Sequence, residues 1–175
     1  MSGTKTLRGN TTIWAVRPEA FTDWTVPISA AKWATALAAG LITDISGAVE
    51  DSYKLNATGS KTDTTQSVMD IALVDTPVYT QYAATIALFR NKPGTTDSPT
   101  YDIALSLFDN FGISYFLIDR VDKAQGSALA AGDIVSAYGF TTDQPRDTAA
   151  DGAMVLFDVG LKPNGSVLIN QTVAA

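Results

Sequence analysis

The chain has 175 residues, 18 acidic against 12 basic side chains and a net charge of −6, a length that suits one domain burying roughly 70% of its unfolded surface. Cysteine and histidine are both absent, which excludes disulfides, thiolate metal sites and cysteine nucleophiles and removes the commonest general base and metal ligand. The acidic balance disfavours a phosphate-neutralising grip on nucleic acid, and aspartate in place of glutamate, with abundant Thr, 13 Gly and 7 Pro, predicts strands joined by turns.

Residues 1–12 form a polar arm with Lys5 and Arg8 and lack the apolar run of a secretory signal. No stretch of about 18 apolar residues follows, so a product of the cytoplasm with no membrane contact is expected. The Asn-x-Ser/Thr matches at Asn10, Asn56, Asn164 and Asn170 reflect composition rather than glycosylation. A helix is predicted from Ser29 as N-cap to Gly40 past its end, with Trp33 and Leu37 on its buried face. Ser29 and Lys32 have the Ser-x-x-Lys spacing of acyl-transfer enzymes, but the companion Lys-Thr-Gly and Ser-Asp-Asn motifs are missing, and a capping serine beside a solvated lysine accounts for them. For Trp14, Trp24 and Trp33 core packing is the default, with an anchor on a neighbouring subunit as the alternative.

A strand is predicted over 41–49. The following excursion, 50–65, is polar throughout, and Tyr53 and Leu55 are its only sizeable apolar side chains. A loop of this length that buries nothing orders at a cost that a partner must offset. Its candidate contact residues are Glu50, Asp51, Ser52, Tyr53, Lys54, Leu55, Lys61 and Asp63, with Tyr53 and Leu55 as anchors and Lys54 and Lys61 as charge partners. Further strands are predicted over 66–74 and 79–90. In the second, Tyr82, Ala84, Ile86 and Leu88 share one face, and Gln81, Ala83, Thr85 and Ala87 share a small, mildly polar one that need not meet a core.

A second helix is signalled by Ser98 as cap, Pro99 in the first turn, Ile103 and Leu107 on one face and Gly112 as stop. Strands over 113–121, 133–142, 154–161 and 166–173 complete the chain, the last two joined into a hairpin through Lys162-Pro163-Asn164-Gly165. Asp119, Arg120, Asp122 and Lys123 make a mixed-charge cluster that reads equally as a subunit contact or a solvated rim. Asp143, Asp147 and Asp151 read as turn formers, since the ligand spacing of a calcium loop is missing. The whole predicts a mainly β protein, a two-sheet β-sandwich or barrel flanked by an α-helix, with no catalytic, cofactor or metal residues.

In context, the segment Ile45-Ser-Gly-Ala-Val-Glu-Asp-Ser-Tyr-Lys-Leu-Asn-Ala-Thr-Gly-Ser-Lys-Thr-Asp, then residues 79–90, then Ala131-Gly-Asp-Ile-Val-Ser-Ala-Tyr-Gly-Phe-Thr-Thr-Asp-Gln-Pro, resemble the major tail (tail tube) protein of long-tailed bacteriophages, particularly those infecting actinobacteria. The resemblance extends over nearly the whole chain. It implies a single tail tube domain, 1–175, whose copies close into hexameric rings that stack into a hollow tube for DNA. It also implies a virion tail location after a stage in the host cytoplasm, and tape measure, tail terminator and distal tail proteins as partners. The loop at 50–65 then reaches an adjacent ring, and within the N-terminal arm (1–12) and the C-terminal strand and tail (166–175) residues 1–10 and 171–175 are the candidates for further contacts. Gln81, Ala83, Thr85 and Ala87 are the candidate lumen face. Six copies bring a ring to about −36, and walls poor in lysine hold phosphates weakly. Two rival readings are a carbohydrate-binding or host-recognition β-sandwich with exposed aromatics and acidic loops, and an esterase built on Ser29 and Lys32.

Overall fold

The computed structural model of the chain describes residues 11–21, 28–51, 53–57, 61–63, 76–79, 82–91, 94, 98–121, 123–144, 146–148 and 156–175. Among them the elements run β1 (Thr12–Val16), α1 (Ala30–Ala38), β2 (Ile42–Asp44), β3 (Lys54–Ala57), β4 (Lys61–Asp63), β5 (Thr76–Tyr79), β6 (Tyr82–Phe89), α2 (Pro99–Phe108), β7 (Ser114–Arg120), β8 (Ile134–Thr142), β9 (Arg146–Thr148) and β10 (Leu156–Thr172). Eight strands make one antiparallel sheet in the order β2-β1-β7-β8-β10-β6-β3, with β9 also on β10, while β4 and β5 form a separate two-stranded ladder. The predicted strand at 66–74 lies outside the described residues.

Burial decides the shape of the large sheet. Ile13 and Ala15 of β1, Leu117 of β7 and Phe140 of β8 enter the same core as Leu55 of β3, Ile86 and Leu88 of β6 and Phe157 of β10. Strands from both halves of the sheet order meet across that core, so the sheet curls into a half-barrel, and Ala104 and Phe108 of α2 pack into the same core. The alternate residues Trp14, Val16, Phe116, Ile118, Val135 and Ala137 face a second core that α1 closes with Trp33 and Ala36. Strands β1 and β7 are therefore covered on both faces, which is why Ile13–Val16 and Tyr115–Ile118 read as unbroken apolar runs rather than as alternating ones. The fold is mainly β, a sandwich or barrel with a flanking helix, as composition and turn chemistry predict.

The helices begin where predicted. Ser29 Oγ accepts from the Lys32 N–H at 3.2 Å, an N-cap bond, and Gly40 ends the segment at φ +69. The buried pair is Trp33 and Ala36 rather than Trp33 and Leu37; Leu37 is 51% exposed. Trp33 meets Trp14 edge-on at 5.0 Å and Phe21 at 6.2 Å, so its indole seats the helix on the sheet. On α2 the buried pair is Ala104 and Phe108, with Ile103 exposed. The Ser98 side chain makes no cap bond; instead Asn91 binds the Ser98 backbone from both sides, donating to its carbonyl at 2.9 Å and accepting from its N–H at 3.2 Å.

Two predicted strands change form. The segment 41–49 is strand only through Asp44, whose Oδ1 accepts from the Ser46 N–H at 2.9 Å and turns the chain into a short 3-10 helix, Ser46–Ala48. The hairpin at Lys162-Pro163-Asn164-Gly165 is absent, and β10 runs straight through it. Pro163 pairs with Phe140 and Val167 with Tyr138, so β10 advances four residues against two on β8 and accommodates the excess as a bulge. Gly165 at φ +88 and the Ser166 N–H, which donates to Asn164 Oδ1 at 3.1 Å, shape that bulge. The N-terminal part of β10 pairs with β6 and the remainder with β8, so one strand joins both halves of the sheet.

Candidate assembly site

The segment 50–65 is not a loop throughout. Lys54 pairs with Thr85 and Ala57 with Tyr82 in the large sheet, and Asp63 pairs with Thr76 in the small ladder. Each chain leg advances nine residues between the Lys54–Thr85 and Asp63–Thr76 pairs, so both ladders share one register apart from a shift after Lys61. They form a single hairpin with β3 and β4 on one leg and β5 and β6 on the other. Beyond the sheet, β4 and β5 have no third strand among the described residues, and a two-stranded ladder is marginal in water by itself. Pro77 in β5 cannot donate a backbone bond and so suits such a ribbon better than a central strand.

Leu55 is buried in the curled core. It fixes the hairpin within its own subunit, which corrects its expected role as an external anchor. Tyr53 is half-buried at the hairpin root, Lys54 and Asp51 are exposed, and Glu50 is half-buried with its N–H donating to Ala87 O at 2.9 Å. Lys61 and Asp63 lie in the small ladder, and Ser52 lies outside the described residues. A cleft of about 380 Å³ opens at the root between Thr11, Ile13, Val49, Glu50 and Tyr53.

The Asp119 carboxyl acts electrostatically on this root. Burial pushes its pKa up from 3.8 to about 6 against the opposing pull of the Asp119 and Ser136 backbone N–H groups, and its Oδ1 has no hydrogen-bond partner. Burial and the Asp119 charge both raise Tyr53, with a hydrogen bond to Thr11 opposing them. Tyr138 is raised for the same two reasons, against a hydrogen bond with Ser136. Phenols shifted upward stay protonated at neutral pH. Among the described residues no group of three His, Cys, Asp or Glu could hold a metal ion.

Elsewhere in the mixed-charge cluster, Arg120 turns inward. Arg120 is 1% exposed; Nη1 donates to Asp133 Oδ2 and to Ala128 O, both at 3.1 Å, and Nη2 to Ser127 O at 2.9 Å. Its guanidinium stacks over Trp14 at 4.9 Å. Burial pulls the Asp133 pKa upward, yet the Lys123 ammonium, the Ala130 N–H and Arg120 together hold it below the usual carboxylate range. Arg120 thus clasps the segment 121–133 to the sheet, correcting its reading as a subunit contact, and Lys123 pairs with Asp133 in the same clasp. Asp122 lies outside the described residues.

On β6, Ile86 and Leu88 are fully buried and Tyr82 and Ala84 pack against the core, leaving Ala83 and Ala87 half-buried on the opposite face. Thr85 lies in the same strand, and Gln81 lies outside the described residues. The C-terminal tail is held inside the subunit: the Val173 N–H donates to Asp133 O at 2.8 Å and the Ala174 N–H to Ile28 O at 2.8 Å. Asp143 accepts from Lys162 at 3.3 Å and from the Gln144 N–H at 2.8 Å, the local role expected of a turn former. Asp147 pairs through its backbone with Phe157, and Asp151, Trp24 and residues 1–10 lie outside the described residues. Among the described residues no helix is long and apolar enough to cross a membrane. A family model described as phage tail tube protein matches residues 1–175, the whole chain. No curated protein matches it.

Proposed function

Since the chain belongs to the phage tail tube protein family, a family of structural components of multi-subunit phage tails, we propose that it is the repeating unit of the tube wall. Its copies close into hexameric rings, the rings stack, and DNA traverses the lumen without specific binding. The observation that carries this reading is the register that the β3–β6 and β4–β5 ladders share apart from the shift after Lys61, with no third strand on β4 and β5 among the described residues. A neighbouring ring supplies the missing packing, with Tyr53 at the hairpin root and Lys54, Lys61 and Asp63 along the leg.

The outer face of β6, with Ala83 and Ala87, suits a wall that meets water and DNA without gripping either. The net charge of −6 per subunit keeps that wall repulsive to phosphates. Tape measure, tail terminator and distal tail proteins bound the tube along its axis, and the subunit passes through the host cytoplasm before assembly. The test is to replace residues 59–80 with Asn-Gly, a two-residue turn that closes the β3–β6 ladder. The variant is expected to fold and remain dispersed, while the unaltered chain forms rings or tubes by negative-stain microscopy. Tubes of normal length from the shortened variant would count against a stacking role for the hairpin.

A further inference from the structure

The bulge of β10 holds chemistry that the tube wall does not use. Of the chain's asparagines only Asn164 precedes a glycine; the others precede Thr11, Ala57, Lys92, Phe111 and Gln171. Asn164 and Gly165 are exposed to solvent, in the stretch between the Pro163–Phe140 and Val167–Tyr138 pairs where β10 outruns β8. The Asn164 carboxamide is fixed from two sides. Its Oδ1 accepts from the Ser166 N–H at 3.1 Å, and the group rests on the β8 backbone at Gly139, its Cγ and Nδ2 3.0 Å from where a Cβ would stand. Gly165, at φ +88, has no side chain to shield its own nitrogen from that carbon. Asn91 is the opposite case, 6% exposed with its amide bound on both sides to the Ser98 backbone.

A donor on a carbonyl oxygen draws charge from its carbon and stabilises the oxyanion that a nucleophile would create there. The Gly165 backbone nitrogen is tethered to the same residue, so its attack on Cγ closes a five-membered ring without recruiting a second molecule. We propose that Asn164–Gly165 is a self-modification site, at which the bulge presents asparagine for deamidation in the folded subunit. Gly165 N bonds to Asn164 Cγ, the Cγ–Nδ2 bond breaks, and Nδ2 departs as ammonia with the former Gly165 amide proton. Water then opens the succinimide at either carbonyl, giving aspartate or isoaspartate. Either product adds a negative charge to the −6 of the subunit, and isoaspartate also lengthens the main chain by a carbon inside the bulge that sets the register of β10 on β8. The inference is independent of the tail tube reading.

The test incubates the purified full chain in mildly alkaline buffer, folded in one arm and in urea in the other, with isoelectric focusing, peptide mass mapping and enzymatic methylation of isoaspartate as readouts. The folded chain should develop a more acidic band, displaced by a single charge, and the peptide holding residue 164 should gain one mass unit and accept the methyl label. Conversion in the folded arm should run at a rate comparable with that in urea, and Asn164→Gln, which cannot close a five-membered ring, should lose the acidic band. Mapping of the parent chain decides the matter even where that variant fails to fold. Conversion in urea alone would overturn the proposal, because the fold would then shield the site rather than present it. Conversion that begins at another asparagine, or none in either arm, would overturn it equally.

Discussion

Replacing Asp119 by Asn tests the electrostatics of the hairpin root. The carboxyl titrates near 3.8 when solvated and at about 6 in the folded subunit, so the folded state prefers its protonated form. Its contribution to stability is complete below pH 3.8 and is lost as the pH rises through about 6. At 1.36 kcal/mol per unit the shift corresponds to about 3 kcal/mol, and residual solvent access lowers this to about 1–3 kcal/mol. Asparagine keeps the shape and removes the charge, so Asp119→Asn should match the parent near pH 4 and exceed it by about 1–3 kcal/mol at pH 8. Urea unfolding of dispersed subunits at intervals between those limits provides the measurement, and subtracting the parent cancels the other carboxylates. A stability difference that stays flat from pH 5 to pH 8 would refute the idea of a buried, under-satisfied charge at this position.

Arg120→Ala removes the clasp and leaves Asp133 buried with Lys123 as its remaining cation, so a loss of about 3–5 kcal/mol is expected, with new protease cleavage between 121 and 133. Lys123→Ala, at a half-exposed ammonium, should cost about 0–1 kcal/mol; equal costs for the two variants in urea titrations would remove the clasp from the account. Deleting Asn164 and Gly165 straightens β10 without changing which face its side chains take. A cooperative transition within about 2 kcal/mol of the parent is expected, whereas loss of the folded state would restore an essential turn there. Ala83→Lys with Ala87→Lys introduces cations on the proposed lumen face and should slow DNA ejection from assembled phage, and the expected slowing should fade with added salt. Unchanged ejection kinetics at low salt would remove this face from the lumen.

Local chemistry made much of the fold legible. The serine at 29 and the glycine at 40 delimit α1, and the alternation Tyr82, Ala84, Ile86, Leu88 identifies the inner face of β6. What escaped depends on partners distant in sequence. The same Pro-Asn-Gly chemistry serves a hairpin turn or a bulge, and the choice is made by β8, which pairs with β10 on both sides of Gly165. Leu37 was drawn to the core by four-residue spacing, yet Trp33 is large enough to seat α1 with Ala36 alone beside it. The hairpin escaped because the partners of Lys61 to Asp63 lie beyond twelve intervening residues. Arg120 had one visible signal, a cation closing the strand that carries the apolar run Tyr115–Ile118, but its acceptors, the carbonyls of Ser127 and Ala128 and the Asp133 carboxylate, lie in the following segment, where composition does not reveal them.

The continuity of β10 has a mechanical consequence. A strand shared by two hydrophobic cores denies either of them an independent melting transition, so a subunit in a tail that bends or is pulled yields as one element or not at all. Tension applied along that strand loads both flanking ladders in shear, where many backbone bonds must rupture together, rather than peeling them singly from an end.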